Sequence, residues 1–275
     1  MRLSIITINY NNCKGLKKTI DSVVSQTFRD FEWIVIDGGS TDGSRELIEQ
    51  YADRFTYWVS EPDKGIYNAM NKGIKVAKGD YLQFLNSGDW LCDEKVLERC
   101  FSYQIEADVI YGDVMLYDGR NPIPRNYKEP LSLWYLYKDT ICHNASFIRR
   151  ELFQDMLYDE TKKVVSDWEF FLKKALEDRT FYHIEDYIVF YDLNGISTIN
   201  GELWRRERDG VIKELFIRVY LEDVRKIDNL ESQLQKYEIQ MDKQLREVCA
   251  YRNKRRSFRR LLNVYLRLVK LVDKI

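Results

Sequence analysis

From the amino end, apolar positions first come as one continuous β-branched run, "LSIITI", closed by the polar stretch "NYNN". A run without polar alternation predicts a strand buried on both faces. The pattern then repeats. A helix is expected from about Lys14 to Ser25 and a second strand at "FEWIVID". After the loop "GGSTDG", the helix "SRELIEQYA" is expected to be capped by Ser40 or Thr41. "FTYWVS" and "YLQFL" read as the third and fourth strands. Between them, past the loop "EPDKG", the segment "IYNAMNKGIKVAK" puts Ile66, Met70, Ile74 and Ala77 on one helical face. A helix at "DEKVLERCFSY" and strand material at "DVIYGDVMLY" follow.

Alternation of apolar strands with helices predicts a mostly parallel sheet covered by helices on both faces. It gathers "NYNN", "DGGSTDG", "EPDKG" and "NSGD" at one rim. That rim lies at the carboxyl ends of the strands, where open α/β sheets bind ligands. After Asp118 the pattern changes. "GRNPIPRNYKEP" holds Pro122, Pro124 and Pro130 and is expected to be irregular. "LSLWYLY" reads as a short helix, "NASFIRRELF" as a strand-to-helix passage, "SDWEFFLKKALE" as an amphipathic helix and "IVFYDL" as a strand. The α/β region is thus expected over residues 1–200, with a helical region over 201–275.

In that second region Ile227, Leu230, Leu234, Tyr237, Met241, Leu245 and Val248 recur at spacings of three and four. The pattern resembles a coiled coil for about two heptads. It leaves two readings open, self-association of the chain through 216–248 or a helix packed on the body. Charge separates the end of the chain further. The formal net charge is −1, yet residues 250–275 carry nine Lys/Arg and one Asp, which leaves −9 on the rest. The stretch 252–275 starts with clustered arginines, then places Leu261, Leu262, Tyr265, Leu268, Val269 and Val272 on one face. A basic amphipathic helix suits a membrane surface, with a partner subunit or a solvated end as the alternatives. Nucleic acid is not expected, since no reader motif accompanies the basic cluster.

The five cysteines form no CxxC pair and their number is odd, which fits a reducing compartment. No run of about 18 apolar residues is present, and the amino terminus is too polar for a signal peptide. The expectation is a cytoplasmic protein, with the inner face of a membrane as the place its tail would hold it.

The rim offers Asp37, Asp42, Asp63 and Asp89, the amides Asn9 and Asn11, five glycines and the single lysine Lys64. It has neither a GxxxxGK[ST] loop nor GxGxxG after the first strand. A diphosphate site without a basic cradle needs a divalent cation, Mn2+ or Mg2+, to bridge phosphate and carboxylate oxygens. Asp89, beside Gly88 and just past a buried strand, is the candidate ligand. By itself it reads more often as a cap for the next helix or a turn residue.

"IITINYNN", "SVVSQTF", "FEWIVIDGGSTDGS" and "SEPDKGIYNAMNKGIKVAKGDYLQFLNSGDW" resemble the nucleotide-binding half of family-2 glycosyltransferases. The resemblance implies an inverting enzyme with a GT-A-like (Rossmann-like) α/β fold over 1–200. Its nucleotide-binding half would be 1–112 and its acceptor half 113–200. "NSGD" matches the family's DxD-type motif. Asp89 is then the metal ligand, and Asn86, Ser87 and Gly88 donor-binding positions. Asn86 and Gly88 stand where other members carry aspartates. Thr7, Asn9 and Tyr10 match a segment against base and ribose. Asp37 inherits a base contact, although the usual second acid is Gly38. Asp63 and Lys64 match the loop over the nucleotide. Asp167 of "SDWEFF" matches the catalytic base, with Trp168 and Glu169 shaping the acceptor side. His143 of "ICHNAS" is a candidate for phosphate or acceptor contact. The partners implied are a nucleoside-diphosphate sugar, with UDP the expected nucleotide, and a glycan or lipid-linked acceptor, as in cell-surface polysaccharide synthesis. Two other functions remain open on the residues: a sugar nucleotidyltransferase, and a non-catalytic nucleotide-sugar binder or scaffold.

Overall fold

A computed structural model describes residues 2–102, 105–127, 131–193, 201–215 and 229. Residues 1–211 form one compact unit and 212–275 another. The coiled-coil-like stretch 216–248 and the tail 252–275 lie outside the described residues, apart from Asn229.

The first unit is built on one nine-stranded sheet. Strands β1 (Leu3–Asn9), β2 (Phe31–Asp37), β3 (Tyr57–Ser60) and β4 (Tyr81–Phe84) run parallel in the order β3-β2-β1-β4. Helices α1 (Cys13–Val24), α2 (Ser44–Gln50) and α3 (Ile66–Val76) connect them. Every residue of β1 is buried, which accounts for its unbroken apolar run. Leu3 and Ile5 join a core cluster with Leu16, Ile20 and Val23 of α1. Ile6 faces α3 instead, where a Cβ on Gly73 would lie 2.4 Å from Ile6 Cγ2. Both faces are therefore covered, as a parallel sheet requires.

Beyond β4 the sheet turns mixed. After β5 (Trp90–Leu91) and α4 (Val96–Ser102) come β6 (Val109–Tyr117), β7 (Pro122–Arg125), α5 (Leu133–Lys138), β8 (Ser146–Arg149), α6 (Ser166–Leu176), β9 (Phe181–Asp192) and α7 (Gly201–Leu215). The order continues β4-β8-β6-β9-β5, with β8 antiparallel to both neighbours and β9 parallel to β6. Two expectations are corrected. The proline-rich segment is not wholly irregular: β7 pairs with β6 as a short side strand. Proline is tolerated there because such a strand leaves N–H positions outside the ladder. The cap of α2 is neither Ser40 nor Thr41 but Gly43, at φ +94°. Asp42 instead accepts from Ser44 N and Oγ and from Cys13 N, tying the starts of α1 and α2 together.

Candidate active site

The loops after β1, β2, β3 and β4 meet at one rim, as parallel strands dictate. Asp37 ends β2 fully buried. Its Oδ1 accepts from Asn9 Nδ2 (2.6 Å) and Ser40 Oγ (2.6 Å). Its Oδ2 accepts from Ser60 Oγ (2.7 Å), Ser40 N (2.9 Å) and Gly39 N (3.2 Å). Burial pushes this carboxyl's pKa up, but the hydroxyl, amide and backbone donors outweigh it and hold the pKa below the ordinary value. Five donors fill the capacity of one carboxylate. Asp37 thus organises the loop, and the base contact expected of it finds no open oxygen. Thr7 is also corrected. It is fully buried, and its hydroxyl accepts from Trp33 Nε1 at 3.0 Å, away from any ligand.

Three rim residues stay available. Tyr10 is 65% exposed. Asn9 Oδ1 is buried without a hydrogen-bond partner among the described residues. Asp63 takes Gly65 N on Oδ1 and folds over Gly38, where a Cβ would lie 2.5 Å from its Oδ2 and 3.1 Å from Tyr10 Cδ2. A side chain at position 38 would have to displace the Asp63 carboxylate and the Tyr10 ring. Lys64 is exposed, with its backbone N bonded to Asn68.

The β4 loop is pinned to α1. Asn12 caps α1 through Gly15 N and donates to Ser87 O at 2.9 Å. Thr19 Oγ1 donates to Asp89 O (2.7 Å) and accepts from Gly88 N (3.1 Å). Gly88 has φ +107°, a conformation that favours glycine. The Asp89 carboxylate is 5% exposed and does not cap α4; Asp93 accepts from Lys95 N at that helix start. Asp89 Oδ1 accepts from Asp192 N at 2.9 Å, and Oδ2 from Asn144 Nδ2. Burial raises the Asp89 pKa to about 7, and the neighbouring Asp192 charge adds to it.

Asp167 sits in the first turn of α6, which begins at Ser166 with Val165 as the cap. Its Oδ2 meets His143 Nδ1 at 2.8 Å, and its Oδ1 accepts from Tyr67 OH at 2.7 Å. Burial alone would raise its pKa, but the His143 and Tyr67 hydrogen bonds and the His143 charge keep it below the ordinary value. Asp167 therefore stays ionised at neutral pH. The other ring nitrogen, His143 Nε2, lies 3.1 Å from Asn86 Nδ2. Asn86, His143, Asp167 and Tyr67 thus form one chain across the loops after β4 and α5 and the starts of α6 and α3. Trp168 is corrected: it is 1% exposed and its Nε1 donates to Leu136 O at 2.5 Å, inside the core. Glu169 is buried between Lys162 and Lys173 and does not shape an acceptor surface. His183, outside this chain, pairs with Asp113 at 2.8 Å.

Among the described residues, no group of three or more His, Cys, Asp or Glu is placed to hold a metal alone. The residues do fit a cation shared with a ligand. A buried Asp89 whose charge burial disfavours, with Asp192 Oδ2 3.8 Å from where a Gly88 Cβ would stand, suits a hard ion that also takes phosphate oxygens. Tyr67, Asn144 and Asp192 were absent from the sequence-based set. Asp192 had the signal that marked Asp89, an acid closing an apolar strand. Tyr67 and Asn144 are buried and gave none.

The chain matches the family model described as Glycosyl transferase family 2 over residues 4–179. It is 33% identical over 180 residues to a PGL/p-HBAD biosynthesis glycosyltransferase of Mycobacterium bovis (strain BCG / Pasteur 1173P2), covering 61% of this chain and 67% of the relative. It is 36% identical over 184 residues to an uncharacterized glycosyltransferase of Mycobacterium tuberculosis (strain ATCC 25618 / H37Rv), covering 63% and 69%. Among solved structures, S. aureus TarS 1-349 in complex with UDP-GlcNAc superposes with a TM-score of 0.61 at 23% identity, over 70% of this chain and 58% of that one. The mannosyltransferase PcManGT from Pyrobaculum calidifontis, in complex with GDP-Man and Mn2+, gives 0.55 at 15% identity, over 69% and 56%. This chain therefore spans less than two thirds of either solved chain. These structural likenesses establish the fold, which is GT-A-like.

Proposed function

From the premise that the chain belongs to glycosyl transferase family 2 and is a glycosyltransferase, we propose an inverting transfer from a nucleoside-diphosphate sugar, a UDP-sugar, to a hydroxyl. The acceptor would be a glycan or a lipid-linked carrier, as in cell-surface polysaccharide synthesis. Family membership sets aside the nucleotidyltransferase and the non-catalytic binder that the residues alone allowed.

One observation carries the reading. Asp89 and Asp167, from distant parts of the chain, are held at one rim by the adjacent residues Asn144 and His143. Asp89, with Asp192 beside it, would hold Mn2+ or Mg2+ together with the diphosphate. When bound, that ion neutralises charge on the departing nucleoside diphosphate. Asn86, Ser87 and Gly88 border the same place, and Asn9, Tyr10 and Asp63 offer the surface for base and ribose. Asp167, ionised and held by two donors, takes the proton of the acceptor hydroxyl as its oxygen bonds to the anomeric carbon. The bond from that carbon to the phosphate oxygen breaks on the opposite side, so the centre inverts. Such base catalysis is worth about 10²–10⁴-fold. The choice of UDP follows the sequence resemblance and is supported by the TarS complex, and the GDP-Man complex makes GDP its direct competitor.

A cytoplasmic place rests on the cysteine usage and the polar amino terminus, and the inner membrane face on the sequence of 252–275. No helix among the described residues is long and apolar enough to cross a membrane.

The test is thermal unfolding with UDP- and GDP-sugars, with Mn2+ or with excess EDTA. A bound donor at a hundredfold excess over its Kd should add about 2.7 kcal/mol of stability. The gain should vanish in EDTA and in Asp89→Ala. An equal gain in EDTA would remove the metal from the account, and no gain with any nucleotide sugar would remove the donor.

A further inference from the structure

We propose that the dipeptide His143–Asn144 is a two-armed positioning device. His143 sets the base Asp167, and Asn144 sets the diphosphate-side acid Asp89. The proposal rests on the functional reading above, and the two arms predict separable kinetic consequences.

The dipeptide lies in the single 3-10 turn His143–Ala145 between α5 and β8. The turn is fixed from three sides. Cys142 N donates to Tyr127 OH at 2.9 Å, Ser146 Oγ to Cys142 O at 2.8 Å, and Gln83 Nε2 of β4 to Asn144 O at 2.8 Å. The last bond ties the turn to the strand whose loop carries Asp89. Successive residues of such a turn project in different directions, and these two reach different acids. Asn144, fully buried, gives its amide N–H to Asp89 Oδ2 and takes Cys142 Sγ on its own Oδ1. The Asn144 carboxamide therefore has its donor aimed at the acid and its acceptor already engaged.

His143 reaches the other way. An ionised carboxylate only accepts hydrogen bonds, so the proton facing Asp167 Oδ2 belongs to Nδ1. That fixes the ring and leaves Nε2 toward Asn86, in the loop that ends at Asp89. Tyr67 completes the fixation from α3. One peptide unit thus links the two acids, which come from separate parts of the chain. Side chains that hold ligating or catalytic groups typically matter about 10–100-fold when removed.

The experiment uses the full chain with calorimetric titration of UDP in the presence of Mn2+. It adds steady-state hydrolysis of whichever UDP- or GDP-hexose the wild type turns over fastest. Asn144→Ala should weaken Mn2+-dependent UDP binding about 10–100-fold. His143→Ala, which also loses the contact with Asn86 of the donor loop, should weaken that binding far less than Asn144→Ala does and lower kcat by about tenfold or more. His143→Asn should restore much of the loss, because its amide nitrogen falls near the place of imidazole Nδ1. Asn144→Leu, close in size but without a donor, replaces Asn144→Ala should the latter fail to melt cooperatively. Equal loss of UDP binding in both alanine variants, or no loss in either, overturns the division of labour while leaving the glycosyltransferase reading intact. A wild-type protein that binds neither UDP nor GDP with Mn2+ sinks that reading and this proposal together.

Discussion

Thr7→Val discriminates between a rim contact and an interior one. The substitution keeps shape and removes the hydroxyl. Trp33 is 2% exposed and Thr7 fully buried, so the indole N–H, now 3.0 Å from Thr7 Oγ1, would lose its acceptor with no water in reach. An orphaned buried donor costs about 1–3 kcal/mol. For a unit of 211 residues, each kcal/mol moves Tm by about 2–4 °C, so a loss of about 4–8 °C is expected at the middle of that range. Urea unfolding of Thr7→Val, Trp33→Phe and the double variant closes the argument. The double variant removes both polar groups, so its loss should fall short of the summed single losses by about 1 kcal/mol. Nucleotide binding by Thr7→Val, measured by calorimetry, should match the wild type. Intact stability with weakened nucleotide binding would refute the interior role and return Thr7 to the donor site.

Two further consequences are expected. Gly79→Ala should destabilise by about 3 kcal/mol in urea, at the upper end for overpacking, because its Cβ would meet Leu3 C and Ser4 N at 2.6 Å; wild-type stability would contradict the close approach. Asp37 should give the fold an acid-side dependence. Its folded pKa is depressed, so its stabilisation is complete above the unfolded value of about 3.9 and is lost as pH falls below that through the folded pKa. Denaturation between about pH 2 and 6 should show this slope in the wild type and a flatter one in Asp37→Asn; parallel slopes would count against it.

The parallel half of the fold was legible because β1, β2 and β4 are buried on both faces, and burial leaves unbroken apolar runs. The strand β7 was hidden because its prolines read as a break, and a side strand escapes that rule. Asp89 and Asp167 were found because acids at a strand end and a helix start are conspicuous. Position along the chain does not say which way a rim side chain points, however. Thr7, two residues inside Asn9, turns toward Trp33, and Trp168, next to Asp167, turns into the core. Tyr67 escaped notice because it lies on the buried face of α3, where an aromatic reads as packing, although its hydroxyl reaches the base. Gly38 departs from the acidic pair, and a side chain there would have to displace those of Asp63 and Tyr10.

The central claim is that Asp167 takes the proton of the incoming alcohol while the donor is held independently at Asp89. The most direct measurement is Asp167→Asn, assayed for donor Kd by calorimetry and for turnover of the same nucleotide sugar. The account predicts an unchanged Kd with kcat lower by about 10²–10⁴-fold. Turnover equal to the wild type, with the donor still bound, would contradict it.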